Sequence, residues 1–291
     1  MKLIDFYNQV VKCGIECDPR KNVPANPFPD TAILYGNLQT KIKNILVGID
    51  IEVGELVLAD RLREKNSLDL VISHHPEGKG LAGLPEVMRL QIDILVKMGL
   101  AQETAQELLE ERIREVQRRV LPGNISRAVD TARILNIPFM CAHTPADNHV
   151  SSFINQLMQK KQPKKVKDIV DILEEIPEYQ DAQDSLVGPR IILGNPNRPT
   201  GKILTEMTGG TEGSKDVFDK LYKNGVRTLV SMHLSEEHFK KVKDANLNVV
   251  IAGHISSDTL GVNLLLDKIE KKAKEQFNTI SCSGFKRLRR Y

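Results

Sequence analysis

The sequence predicts an α/β fold: two α/β lobes with mixed or mainly parallel sheets. Short β-branched runs alternate with helical stretches along the chain, as in folds that cover a sheet with crossover helices. The 291 residues, 41% hydrophobic and 27% charged, suit one large domain or two closely packed lobes. A lysine-rich polar stretch at 160–167 divides them into an N-terminal lobe, 1–165, and a C-terminal lobe, 166–291.

Taken in order, residues 2–17 form an amphipathic helix, with Ile4, Val10, Val11 and Ile15 at roughly helical spacing. A Pro/Asn-rich loop fills 22–30, and ILVGID at 45–50 is a strand leading to a helix over 54–65. A second apolar run covers 68–73. Residues 86–119 are helical and heavily charged, an extra segment of the N-terminal lobe whose alternating signs suit a solvated face or a partner subunit. A helix at 124–135, a strand at 137–142 and a helix at 150–159 complete the first lobe. In the second, a short helix at 168–175 precedes strands at 190–193 and 202–207, a Gly-rich turn at 208–214 and a helix at 215–224. Strands at 228–232 and 248–252 alternate with helices at 235–244 and 258–274, and 277–283 closes the sheet.

Composition removes several classes of function. The four cysteines, at 13, 17, 141 and 282, include no CxxC pair, so buried thiols in a reducing compartment are expected rather than a disulfide or zinc framework. A net charge of +3, with eight Phe, five Tyr and no Trp, offers neither a basic face nor much stacking surface for nucleic acid. Lys286, Arg287, Arg289 and Arg290 are expected to be a solvated tail, with a phosphate-binding arm as the lesser alternative. No apolar run is long enough to span a bilayer, and the N-terminus lacks a signal-peptide core, so the expected location is the cytoplasm.

Candidate chemistry gathers at three strand ends. His74-His75-Pro76 follows one strand, His143-Thr-Pro-Ala-Asp147 another and His254-Ile-Ser-Ser-Asp258 a third. In open α/β sheets ligands bind beyond the carboxyl ends of strands, so these side chains can converge. Imidazole and carboxylate suit a divalent metal such as Zn, Fe or Mn. Strand alternation would send His74 and His75 to opposite faces, toward two neighbouring ions or one ion and its support. The H-x-x-x-D spacing is too long for one ion in extended chain but closes at a helix start. Against this, Asp147 and Asp258 could be helix N-caps, and His143 or His254 a satisfied core histidine. At a fourth strand end, His233 and Glu236 are candidates to move protons at the rim. His238 should lie on the surface of the following helix, and His149 begins a helix past Asp147. The turn at 208–214 is a tight βα connection or a weak anion site.

These blocks resemble the NIF-three-like family, also called GTP cyclohydrolase 1 type 2 homologues. The resemblance rests on ILVGID at 45–50, VISHHP at 71–76, HTPAD at 143–147, Thr208-Gly-Gly, Ser235-Glu236 and Gly253-His254-x-x-x-Asp258, in family order. It implies two α/β lobes facing a central metal-binding cleft, a dinuclear centre and a homo-oligomer, often a toroidal hexamer. His74, His75, Asp147, His254 and Asp258 would be ligands, with His143 a ligand or a support. Three features depart from the family pattern. Asp258 stands where Glu is usual, Met232-His233 where Gly-Glu is usual, and the stretch between His75 and His143 is long.

A metal-dependent hydrolase acting on a small phosphorylated or nucleotide substrate is the expected function; phosphoester or amide hydrolysis fits the residues, and the resemblance implies a GTP cyclohydrolase-like reaction as a further choice. The competing reading is a non-catalytic protein for metal binding, metal delivery or regulation.

Overall fold

The computed structural model describes residues 1–65 and 67–290; Tyr291, the end of the expected C-terminal lobe, lies outside them. Along the chain run α1 (Leu3–Ile15), β1 (Ala32–Tyr35), β2 (Asn44–Gly48), α2 (Val53–Lys65), β3 (Leu70–Ser73), α3 (Lys79–Val87), α4 (Leu90–Lys97), α5 (Gln102–Val120), α6 (Arg127–Ile134), β4 (Phe139–Cys141) and α7 (Thr144–Lys161). Then follow α8 (Val166–Leu173), α9 (Pro177–Asp184), β5 (Arg190–Leu193), β6 (Lys202–Glu206), α10 (Phe218–Lys223), β7 (Val226–Ser231), α11 (Glu236–Asp244), β8 (Asn248–Ile251), α12 (His254–Ala273) and β9 (Asn278–Cys282). The α/β class and mixed sheets are as expected. One sheet has the order β1-β4-β3-β2-β9 and the other β5-β8-β7-β6.

Both sheets follow one plan. The first strand of each lies antiparallel at an edge and is bulged, and the remaining strands pair in parallel. A glycine at positive φ follows each edge strand, Gly36 at 121° and Gly194 at 101°. The next residue, Asn37 or Asn195, accepts a backbone N–H two residues on at 2.9 or 2.8 Å. These matching turns show that the second sheet repeats the first. β9, from the end of the chain, adds to the first sheet beside β2.

Alternation along the strands sets the layers. In β2, Ile45 and Val47 face a core with Leu3, Phe6 and Val10 of α1, while Leu46 faces Leu56 and Ala59 of α2. In the second sheet, Val230 and Val250 face Val150 and Ile154 of α7, and Leu229 and Val249 face Phe218 and Leu221 of α10. Parallel strands buried on both faces account for their apolar runs. α7 and α12 contribute to the cores of both sheets and form the layer between them.

Several boundaries differ from expectation. α7 begins at Thr144 rather than near 150, because Pro145 takes an early helical position where its missing N–H costs nothing. α12 begins at His254, straight after Gly253 at φ +110°. The charged stretch 86–119 is parts of three helices, not one. β1 and α9 had no periodic signal long enough to find. The basic C-terminus is not a solvated tail: Arg287 bonds to Asp267 at 2.6 Å and Glu270 at 2.9 Å, and Arg290 to Glu178 at 2.6 Å. Among the described residues no helix is long and apolar enough to cross a membrane.

α7 and α12 touch at Gly261, where a Cβ would lie 2.6 Å from the carbonyl oxygen of Ala146. Helix propensity favours alanine over glycine by about 1 kcal/mol. Overpacking should reverse that sign and cost about 1–3 kcal/mol net. Thermal unfolding of Gly261→Ala should therefore show a lower Tm, and an unchanged or higher Tm would show that the crossing is loose.

Candidate metal centre

β3 ends at Ser73, and the chain then turns. The Ser73 hydroxyl reaches the carbonyls of Ile49 at 3.3 Å and His75 at 2.8 Å, while the amides of His74 and His75 donate to Gly48 and Ile49. Strand alternation therefore stops before the two histidines, and their rings lie 5.2 Å apart on the same side rather than on opposite faces. His143 precedes α7 directly, with its amide donating to the Thr31 hydroxyl at 3.1 Å. Asp147 sits in the first turn of α7 and Asp258 just beyond that of α12. Neither caps its helix; both turn their carboxylates to the histidines.

The six side chains meet as expected. His74 Nε2 lies 3.5 Å from Asp147 Oδ1 and 3.5 Å from Asp258 Oδ1. The other oxygen of Asp147 is 3.6 Å from His143 Nε2. That of Asp258 is 3.4 Å from His75 Nε2 and 3.5 Å from His254 Nε2. Two groups have ligand atoms close enough for one ion: His74, His143 and Asp147, and His74, His75 and Asp258. His74 Nδ1 faces the Ala142 carbonyl at 3.2 Å. A carbonyl only accepts, so Nδ1 carries a hydrogen and Nε2 is the ring atom turned toward the carboxylates. His74 and Asp258 are each 1% exposed, and His74 Nε2 and Asp258 Oδ2 are buried with no hydrogen-bond partner. Buried acceptors pointing at one another are costly unless a cation lies among them. This donor set fits a divalent metal.

Two further carboxylates support the site, and sequence reasoning missed both. Asp30, fully buried, accepts from Thr144 Oγ1 at 2.6 Å and lies 2.8 Å from His143 Nδ1. Asp50 lies 2.7 Å from His75 Nδ1. Carboxylates behind a ligating histidine fix its tautomer and ring orientation. Asp50 lies two residues past β2, the strand paired with β3, at the same level as His74-His75, a signal that could have found it. Asp30 lies 113 positions from His143, and only the fold joins them.

Charge is distributed unevenly. Burial disfavours charging His143, but Asp147 and Asp30 outweigh it and push its pKa up to about 9. Burial raises Asp147, against the pull of His143 and His74. Burial alone would also raise Asp258, but His74, His75 and His254 hold it well below the usual carboxylate range. Burial depresses His254 to about 4.

The same cavity is walled by Glu206, Thr208, Glu212 and His233 from the second sheet. His233 meets His254 edge to face, with ring centroids 4.6 Å apart. It occupies the place of His75 in the repeated plan: the Ser231 hydroxyl reaches the His233 carbonyl at 2.8 Å, as that of Ser73 reaches His75. Its Nδ1 lies 3.5 Å from Glu212, which also accepts from the Ser235 amide at 2.6 Å. Burial opposes ionisation of Glu212, but His233 and the Ser235 amide bring its pKa down to about 2. Glu236 is exposed at the start of α11 and does not line the cavity. His238 is buried, not on the surface, facing Ser235 Oγ at 2.8 Å and the Gly213 carbonyl at 3.0 Å. His149 is buried within α7, facing the Pro145 carbonyl at 2.7 Å.

No family model and no curated protein matches the chain. Solved structures do. A NIF3 superfamily protein from Sphaerobacter thermophilus is 26% identical with a TM-score of 0.79, over 96% of this chain and 98% of that one. Reduced HcgD from Methanocaldococcus jannaschii is 15% identical with a TM-score of 0.58, covering 97% of each chain. A Thermus thermophilus protein, TTHA1606, is 14% identical with a TM-score of 0.53, again over 97% of each. The last two likenesses are of fold alone.

Two measurements test the geometry. Asp30→Asn keeps the shape behind His143 but removes the charge, and should weaken zinc binding about 10–100-fold by calorimetry. Unchanged affinity would detach Asp30 from the site. In the metal-free protein, the folded chain holds the His143 proton up to about pH 9, and the unfolded chain releases it near 6.5. The stability this contributes is full below the lower value and lost as pH rises through the higher. The metal-free Tm should fall between about pH 7 and 9.5, and less so in His143→Gln. Equal slopes would show that His143 is not the group responsible.

Proposed function

The chain is NIF3-like over 96% of its length, and on that footing we propose that it holds two divalent ions and uses them in hydrolysis. The observation that carries the metal reading is the set of buried, partnerless acceptors, His74 Nε2 and Asp258 Oδ2, beside Asp147, His143, His75 and His254. His74 has one free nitrogen and belongs to both groups, whereas Asp147 and Asp258 each offer two oxygens. His74 Nε2, Asp147 and Asp258, with His143, His75 and His254 beside them, are the residues that would hold the ions. Ions so held supply Lewis acidity, which activates water and polarises a substrate oxygen.

The chain's own residues divide the remaining work. His74, His143, Asp147 and Asp258 are buried, while the side chains of His75, His254 and His233 are 25%, 40% and 44% exposed, so substrate enters along these three histidines. His233 moves a proton at Nε2 while Glu212 holds Nδ1. Glu212, rather than Glu236, is the carboxylate within reach of His233. The substrate class is a small phosphorylated or nucleotide compound, cleaved at a phosphoester, an amide or a purine ring as in a GTP cyclohydrolase. A homo-oligomer, six-membered as in the family resemblance, belongs to the same proposal.

Metal-loaded protein assayed against nucleotides, phosphoesters and cyclic amides should turn over one class. His233→Ala should lower the rate about 10²–10⁴-fold with metal content kept, whereas His74→Ala and Asp258→Asn should lose metal and rate together. Full metal loading with no turnover of any substrate would favour the metal-delivery reading instead.

A further inference from the structure

Between β3 and β4 the chain passes through four helices, α3 to α6, whereas the repeated plan has only α11 between β7 and β8. α6 packs on α2, so the surplus is the arm α3–α5. Its apolar side covers the second sheet: Leu95, Leu100 and Ala105 share a core with Leu204, Leu229 and Val249. A covering layer needs nothing more than that. Yet the arm also reaches the 208–214 turn with two buried polar side chains. Gln91 Nε2 donates to the carbonyls of Gly209 and Thr211, both at 2.7 Å. Arg112 Nε donates to the Glu212 carbonyl at 3.0 Å.

The turn is shaped to this grip. A Cβ on Gly209 would meet Gln91 Cγ at 2.6 Å, one on Gly213 would meet Gln91 Oε1 at 2.4 Å, and one on Gly210 would meet Val87 at 2.9 Å. Held there, the turn directs the Glu212 side chain to His233, His238 and the Ser235 amide. We infer that Gln91 and Arg112 are positioning residues through which the arm sets Glu212, and through it the His233 imidazole, on the wall facing the metal ligands. The hydrolase reading supplies the reason His233 must be aimed; the grip on the turn is independent of it.

The test compares zinc-loaded full-length protein with its Gln91→Met variant, which fills similar space but donates nothing. Amides at 209–213 should exchange hydrogen about tenfold faster in the variant, the effect of losing one to two buried hydrogen bonds locally. The His238 Nε2–H resonance, protected by the Gly213 carbonyl, should be lost. Zinc content and exchange in β3, β4 and α12 should match the wild type. Unchanged exchange at 209–213, or acceleration spread evenly over both sheets, would show that Gln91 only fills space and would overturn the inference. Arg112→Met, read the same way, serves if Gln91→Met does not fold. Should the wild type take up no zinc, the metal reading fails while the exchange result still judges the grip.

Discussion

The close crossing of α7 and α12 is the constraint on which the site depends. Gly261 lets the helices meet at Ala146, next to Asp147 and less than one turn from Asp258. A second close approach, Gly14 of α1 against Pro145, fixes the start of α7 from the other side; a Cβ there would lie 2.8 Å from the proline side chain. Two carboxylates, each near a helix N-terminus that favours negative charge, are thereby both brought within 3.5 Å of His74 Nε2. Taking two carboxylates out of water costs on the order of several kcal/mol per ion unless charge compensates. In the metal-free protein the histidines supply part of that compensation, which is why the pKa of His143 rises while that of Asp258 falls.

The repeated sheet plan explains the arrangement of the rest. Each half turns a serine hydroxyl back on the chain after its third strand and presents a histidine two residues later, His75 or His233. Each of these imidazoles has a carboxylate at Nδ1, Asp50 or Glu212. The halves diverge in the residue between: His74 in the first, Met232 in the second. The metal groups accordingly gather around His74, and the second half contributes His254, Asp258 and the wall around His233.

Much of this was legible in the sequence because it is local. Strand and helix periodicity located most elements, and three similar strand ends named six side chains that the fold does bring together. The unread parts depend on long-range contacts. The supports Asp30 and Glu212 sit in loops without periodicity, 113 and 21 positions from the histidines they face. His238 looked like a helix-surface residue because its partner, the Gly213 carbonyl, comes from a neighbouring turn. The arginine-rich end looked solvated because Asp267, Glu270 and Glu178 reach it only after α9 and α12 have packed. The alternation rule misplaced His75 because it was carried two residues past the end of β3.

The most direct measurement is anomalous diffraction from crystals of the protein loaded with zinc, collected on both sides of the absorption edge. Metal peaks within coordination distance of the facing atoms of His74, His143, Asp147, His75, His254 and Asp258 are the predicted result. A structure with those residues well ordered and no anomalous density among them, or with zinc bound only elsewhere, would contradict the account.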